Sequence, residues 1–185
     1  VTLMKWEYLK AVFLQSGKKT LNSSGFKEFF KANREWLEPY AAYCCLRDIY
    51  ETPDFRKWKM YSVFNPDDIA EFCACGNIYY DKVSFYYFVQ YHLHIQLLEV
   101  RDYAHAKGIV LKGDIPIGVS RDSVDAWSHP ELFYMDSQAG APPDDFSVEG
   151  QNWGFPTYNW DEMAKDGYTW WKARFRKMAE YFDAY

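Results

Sequence analysis

Two stretches of the 185-residue chain carry residue types suited to chemistry on a ligand. The longer is Ala139-Gly140-Ala141-Pro142-Pro143-Asp144-Asp145-Phe146-Ser147, continued by Gly150-Gln151-Asn152-Trp153-Gly154. Its prolines stiffen the backbone and its glycines let it turn. Rings then lie beside carboxylates and amides. A flat ring offers stacking area to the apolar face of a pyranose, and Gln, Asn and Asp hydrogen-bond its hydroxyls. An ordered structural loop whose Trp is anchored in a core would read the same way. The shorter stretch is Gly113-Asp114-Ile115-Pro116. Here Asp114 is either a site carboxylate or a turn cap, a role that Asp also serves well.

Other candidates are weaker. Cys44-Cys45 and Cys73-x-Cys75 lack the two to four residues that separate zinc ligands, so no metal is expected. All four are read as buried thiols in a reducing cytoplasm. His92 and His94, two apart on a helix, point in different directions and cannot share a metal. His105 reads as exposed, and His129 beside Trp127 as structural. No histidine neighbours Ser120-Arg121-Asp122-Ser123, and no nucleotide-binding or nucleophile-elbow pattern occurs.

Composition narrows the class. Hydrophobic residues make up 49%, which excludes a disordered chain, and 21% are aromatic, more than a core alone requires. A net charge of −5, with no run of Lys and Arg beyond two, excludes a nucleic-acid stripe. No apolar stretch is long enough to span a bilayer. Val1 opens directly on an amphipathic segment, so no signal peptide is expected.

The elements that must hold these residues read mainly as helices. Apolar spacing predicts one over Leu3–Leu14, stopped by Ser16-Gly17. A second is expected from the Asn22-Ser23-Ser24 caps to about Asn33. A third covers Trp36–Glu51, with Pro39 in its first turn and Pro53 beyond its end. Asn65-Pro66-Asp67-Asp68 reads as a capped start, closed by Gly76. The longest helix spans Asp81–Lys107, with Gly108 as its C-cap. Ile109-Val110-Leu111 follows as a buried strand. Helix, glycine, strand and polar loop follow one another as in an α/β barrel unit, where an acid after the strand lies on the active-site face. From Asp114 to Tyr158 periodicity vanishes, and Trp160–Tyr185 resumes it with a break at Gly167. A lone strand needs partners, and Phe182-Asp183-Ala184-Tyr185 reads as a helix running onward. The expectation is an internal piece of a larger protein.

These residues resemble the amylomaltases, or disproportionating 4-α-glucanotransferases. The likeness runs through Lys112-Gly113-Asp114-Ile115-Pro116-Ile117 and Asp122–Phe133. It continues through Gly140-Ala141-Pro142-Pro143-Asp144, Gly150-Gln151-Asn152-Trp153-Gly154, Trp160 and Gly167-Tyr168-Thr169-Trp170-Trp171, with Phe26–Leu46 upstream. It implies a segment of a (β/α)8 barrel. Residues 1–107 would be a helical insertion. Residues 108–185 would be the third strand, the glucan-binding loop and the helix leading to the fourth strand. Members move α-1,4-glucan segments between maltooligosaccharides by a retaining mechanism with two carboxylates about 5–5.5 Å apart.

The resemblance puts both carboxylates beyond Tyr185, so it implies no catalytic residue here and an inactive isolated chain. It implies glucan contacts at Asp114, Asp144, Phe146, Gln151 and Trp153. It implies no cofactor or metal, a cytoplasmic location, and an α-1,4-glucan and the remaining barrel as partners. Exposed edges also lead to expected self-association of the isolated chain. Asp145 stands where many bacterial members have Tyr. The short Met135–Gly140 stretch resembles the longer subgroup found in some bacteria and in the plant cytosolic form. A non-catalytic carbohydrate-binding module is the alternative. Such modules are mostly β-sandwiches, whereas this chain reads as helical. A helical interaction protein is a third possibility.

Overall fold

The computed structural model describes residues 2–185, and helices dominate it. Seven α-helices are described: α1 (Thr2–Leu21), α2 (Ser24–Tyr50), α3 (Pro66–Phe72), α4 (Tyr80–Ala106), α5 (Val124–Ser128), α6 (Trp160–Lys165) and α7 (Thr169–Ala179). Three short 3-10 helices (Phe55–Lys57, Lys59–Ser62 and Pro130–Leu132) accompany them, with four two-residue strands: β1 (Phe133–Tyr134), β2 (Gly140–Ala141), β3 (Gln151–Asn152) and β4 (Thr157–Tyr158). The chain divides into two units, Val1–Leu97 and Leu98–Tyr185. No described helix is long and apolar enough to cross a membrane.

The first unit is a ring-filled helical core. Leu37, Ala41, Ala42, Trp58 and Val83 are wholly buried in it. Phe13 of α1 sits edge-on to Phe85 and Phe88 of α4 at 5.5 and 5.4 Å, and Phe26 of α2 meets Tyr91 at 5.7 Å. Burial pushes the Cys45 and Cys73 thiols up to about 12 and about 11. Cys44, Cys45 and Cys73 are free and buried, as expected, but Cys75 is exposed. It follows α3 in a turn, where nothing covers it.

Two expected helix boundaries are overruled. α1 runs straight through Ser16 and Gly17. Gly17 is the clearance for a ring: a Cβ there would lie 2.4 Å from Phe13 Cδ2. The second and third expected helices are one, with Pro39 in its interior. An interior proline costs about 3 kcal/mol. Each of the fully buried Leu37 and Leu46 on the same helix returns about 1.5–3 kcal/mol. Burial therefore outweighs the break. Local punctuation holds elsewhere. Ser23 caps α2, accepting Phe26 N–H at 3.2 Å. Asn65 caps α3, accepting the N–H groups of Asp67 and Asp68 at 2.9 and 3.3 Å. α3 closes at Phe72, before Gly76.

In the second unit the expected strand Ile109–Leu111 is reduced to one parallel bridge, Lys112 to Ala184. Gly113 N–H donates to the Ala184 carbonyl at 2.8 Å, and Asp183 N–H to that of Leu111 at 2.9 Å. The tail is therefore extended rather than helical, since α7 ends at Ala179. Side chains fasten the same crossing. The Asp183 carboxylate accepts Leu111 N–H at 2.9 Å and faces His105 Nε2 at 3.0 Å. Arg101 donates to the Glu180 carbonyl at 2.6 Å. The break expected at Gly167 is present between α6 and α7.

Candidate glucan-binding site

The stretch from Asp114 to Tyr158, aperiodic in sequence, contains a nested antiparallel ribbon. β1 pairs with β4 through Phe133–Tyr158 and Tyr134–Thr157. β2 pairs with β3 through Gly140–Asn152 and Ala141–Gln151. The inner rung is a hairpin and the outer rung is its root. The root rests on a small core of Val119, Leu132, Phe133 and Met163, with Tyr158, Trp170 and Trp171 packed against it. Asn159 locks the root. Its side chain caps α6 by accepting Glu162 N–H at 3.2 Å, accepts Tyr134 OH at 3.0 Å and donates to the Glu131 carbonyl at 3.1 Å.

Between the rungs Ala139 still pairs through its backbone with Phe155 and Trp153, but other carbonyls need donors. Arg121 supplies them. Its guanidinium donates to the carbonyls of Gly154 (3.0 Å), Met135 and Ser137. Nothing local in the sequence marks this role, because the three carbonyls come together only in the fold.

The hairpin tip carries most of the expected ligand residues. Asp144 Oδ1 accepts the N–H groups of Phe146 and Ser147 at 2.9 and 2.7 Å, closing a tight turn. Ser147 Oγ donates to the Gly150 carbonyl at 2.6 Å. Gly150 adopts φ +74°, and a Cβ there would lie 2.6 Å from the Ala141 carbonyl oxygen, so only glycine fits. The turn presents the Phe146 ring 97% exposed. Trp153 is half exposed, and its Nε1 donates to Gln151 Oε1 at 3.0 Å. That bond orients the indole and leaves the Gln151 amide N–H groups for other acceptors.

Asp114 lies on a different segment, directly after the parallel bridge, and is exposed. The residues after it are tied down. The Pro116 carbonyl accepts Arg174 Nη2 at 2.5 Å, and the Ile117 carbonyl accepts Tyr158 OH. Gly118 lies against the Phe155 ring. Burial raises the Tyr158 hydroxyl pKa, while the charge of Arg174 opposes the shift. The five expected residues thus divide: Asp144, Phe146, Gln151 and Trp153 share one hairpin, and Asp114 belongs to the segment touching its root. Among the described residues no group of three His, Cys, Asp or Glu side chains could hold a metal.

Exposed rings beside fixed amide and carboxylate groups suit a polyhydroxylated ligand. The 4-alpha-glucanotransferase family model matches residues 1–185, and the chain belongs to that family. It is 50% identical over 181 residues to the 4-alpha-glucanotransferase DPE2 of Oryza sativa subsp. japonica, covering 98% of this chain and 19% of the rice protein. It is 34% identical over 182 residues to the 4-alpha-glucanotransferase of Chlamydia pneumoniae, covering 98% of this chain and 34% of that one. The amylomaltase of Streptococcus agalactiae, solved in complex with acarbose, superposes with a TM-score of 0.80 at 28% identity, over 96% of this chain and 37% of that one. The chain therefore spans between a fifth and about a third of the curated relatives named here.

Proposed function

We propose that this chain is the glucan-binding and scaffold segment of a 4-α-glucanotransferase, an enzyme moving α-1,4-glucan segments between maltooligosaccharides with retention. The observation that carries the proposal is the ring-bearing hairpin of Phe146, Gln151 and Trp153 in a chain that matches the family from end to end. Asp114, Asp144, Phe146, Gln151 and Trp153 contact the sugar. Asp144 does so with the oxygen that its turn leaves free. The catalytic carboxylates are supplied from outside these 185 residues, so the chain alone has no route to a covalent glycosyl intermediate.

Within such an enzyme, residues 108–185 form the third strand of a (β/α)8 barrel, its loop and the following helices, and residues 1–107 an insertion. The parallel Lys112–Ala184 bridge around α6 and α7 supports this, because parallel strands need a crossover connection of this kind. The free, buried thiols of Cys44, Cys45 and Cys73 favour the cytoplasm.

Maltotriose disproportionation tests the proposal, with the 185-residue chain and with a form extended past Tyr185. Glucose and longer glucans from the extended form alone support it. Activity of the short chain would move the catalytic acids into it. A folded but inactive extended form that still binds maltooligosaccharide would leave a carbohydrate-binding module.

A further inference from the structure

We infer that Arg174 and Tyr158 are positioning residues that set Asp114 for the glucan, by holding the two consecutive carbonyls downstream of it. The inference rests on the glucan-binding reading of Asp114 given above.

After the bond from Gly113 N–H to Ala184, the chain carrying Asp114 leaves the strand pair. Pro116 has no N–H to offer. What fixes the segment is a pair of side-chain donors on its carbonyls. Arg174 Nη2, from α7, takes the Pro116 carbonyl at 2.5 Å. The Tyr158 hydroxyl, from β4, takes that of Ile117. Two adjacent peptide units gripped from two different elements leave Asp114 on a short leash of two residues.

Arg174 is held in turn. Its guanidinium carbon lies 4.5 Å from the ring centre of Trp170 and 4.8 Å from that of Trp171. Trp170 Nε1 donates to Asp125 Oδ1 at 3.0 Å, which fixes that ring. Yet Arg174 Nη1 is buried with no hydrogen-bond partner among the described residues. A buried, unsatisfied donor on a charged group lowers stability, and an apolar side chain of similar length would fill the space without it. The nitrogen that does find a partner, Nη2, is the one on the Pro116 carbonyl. Lysine lacks the planar fork that stacks on the rings while reaching the carbonyl.

The test uses the full glucanotransferase containing this segment, with KM and kcat for maltotriose and the melting temperature measured together. Arg174→Met and Tyr158→Phe are expected to raise KM or lower kcat roughly tenfold with little change in melting, since small misplacements of a binding group are expensive. Arg174→Lys should restore only part. In an Asp114→Asn background both substitutions should cost little more, because the residue they position is already gone. Losses that multiply with that of Asp114→Asn, or that track the melting temperature, overturn the inference. So does a silent Asp114→Asn. A wild-type enzyme without disproportionation would instead overturn the glucanotransferase reading.

Discussion

Asp183 accepts the backbone N–H of Leu111 at 2.9 Å, 72 positions away in sequence, and the same carboxylate oxygen faces His105 Nε2. One side chain thus fastens the end of α4, the start of the Asp114 segment and the tail. The Lys112–Ala184 bridge with its backbone bonds, and the bond from Arg101 to the Glu180 carbonyl, fasten the same crossing.

This contact makes the crossing sensitive to acid. The Leu111 N–H, and then His105, hold the Asp183 carboxyl below its ordinary value of 3.8. A carboxyl depressed by folding binds fewer protons in the native state. Its contribution is present above the unfolded value and is lost as pH falls through the folded one. The protection of the Leu111 amide, taken relative to its intrinsic exchange rate, should fall below about pH 4. Asp183→Ala, which removes the acceptor, should show low protection already at neutral pH and a flatter acid profile. Unchanged exchange in the variant would remove Asp183 from the fastening.

Arg121→Met should loosen the hairpin without melting the helices. It strips the donors from Met135, Ser137 and Gly154 together. Hydrogen exchange across residues 139–155 is expected to rise at least tenfold, with α6 and α7 little affected, because opening can be confined to one unit of structure. A uniform rise over the whole second unit would mean that the guanidinium holds the core instead.

Much of the fold was legible in the sequence wherever a local device decides it. Asn65-Pro66 starts a helix, and Gly108 ends one with φ +70°. Long-range effects decided the rest. Gly17 and Pro39 look like stops, but the Phe13 ring and the buried face of α2 override them. The tail has helical spacing, yet Asp183 and Ala184 bond to Leu111 and Gly113, and no local pattern encodes that pairing. At the candidate site the ring and amide stretch stands out by residue type, and the resemblance singles out residues within it. Arg121, Arg174 and Tyr158 do not stand out, because each acts on backbone carbonyls rather than on a motif.

Phe146→Ala and Trp153→Ala should separate binding from stability. Phe146 makes almost no use of its ring in the fold, so its loss should change stability by less than about 0.5 kcal/mol. Maltooligosaccharide affinity of the full enzyme, measured by calorimetry, should fall roughly three- to tenfold for each, the scale of one lost ring contact at about 0.5–1.5 kcal/mol. Unaltered affinity in both would move the glucan off this hairpin.

The isolated chain is expected to self-associate. Leu3, Met4, Tyr8 and Leu14 of α1, and Ile109, Val110 and Ile117 in the second unit, are large, apolar and exposed. Short extended segments with open edges add to the tendency. Size-exclusion chromatography with light scattering should show a mass above 22.0 kDa. A clean monomer across a tenfold concentration range would contradict this.

The nested ribbon also determines where the chain can change length. A residue added between Pro143 and Glu149 opens the Asp144 turn but leaves both rungs in register. One added between Met135 and Ala139 pulls the Met135 and Ser137 carbonyls away from Arg121 and shifts the inner rung against the outer. Insertions and deletions at the crest of this loop therefore cost the local turn alone, whereas at its waist they disrupt the stem, so tips of different size can be carried on one unaltered stem.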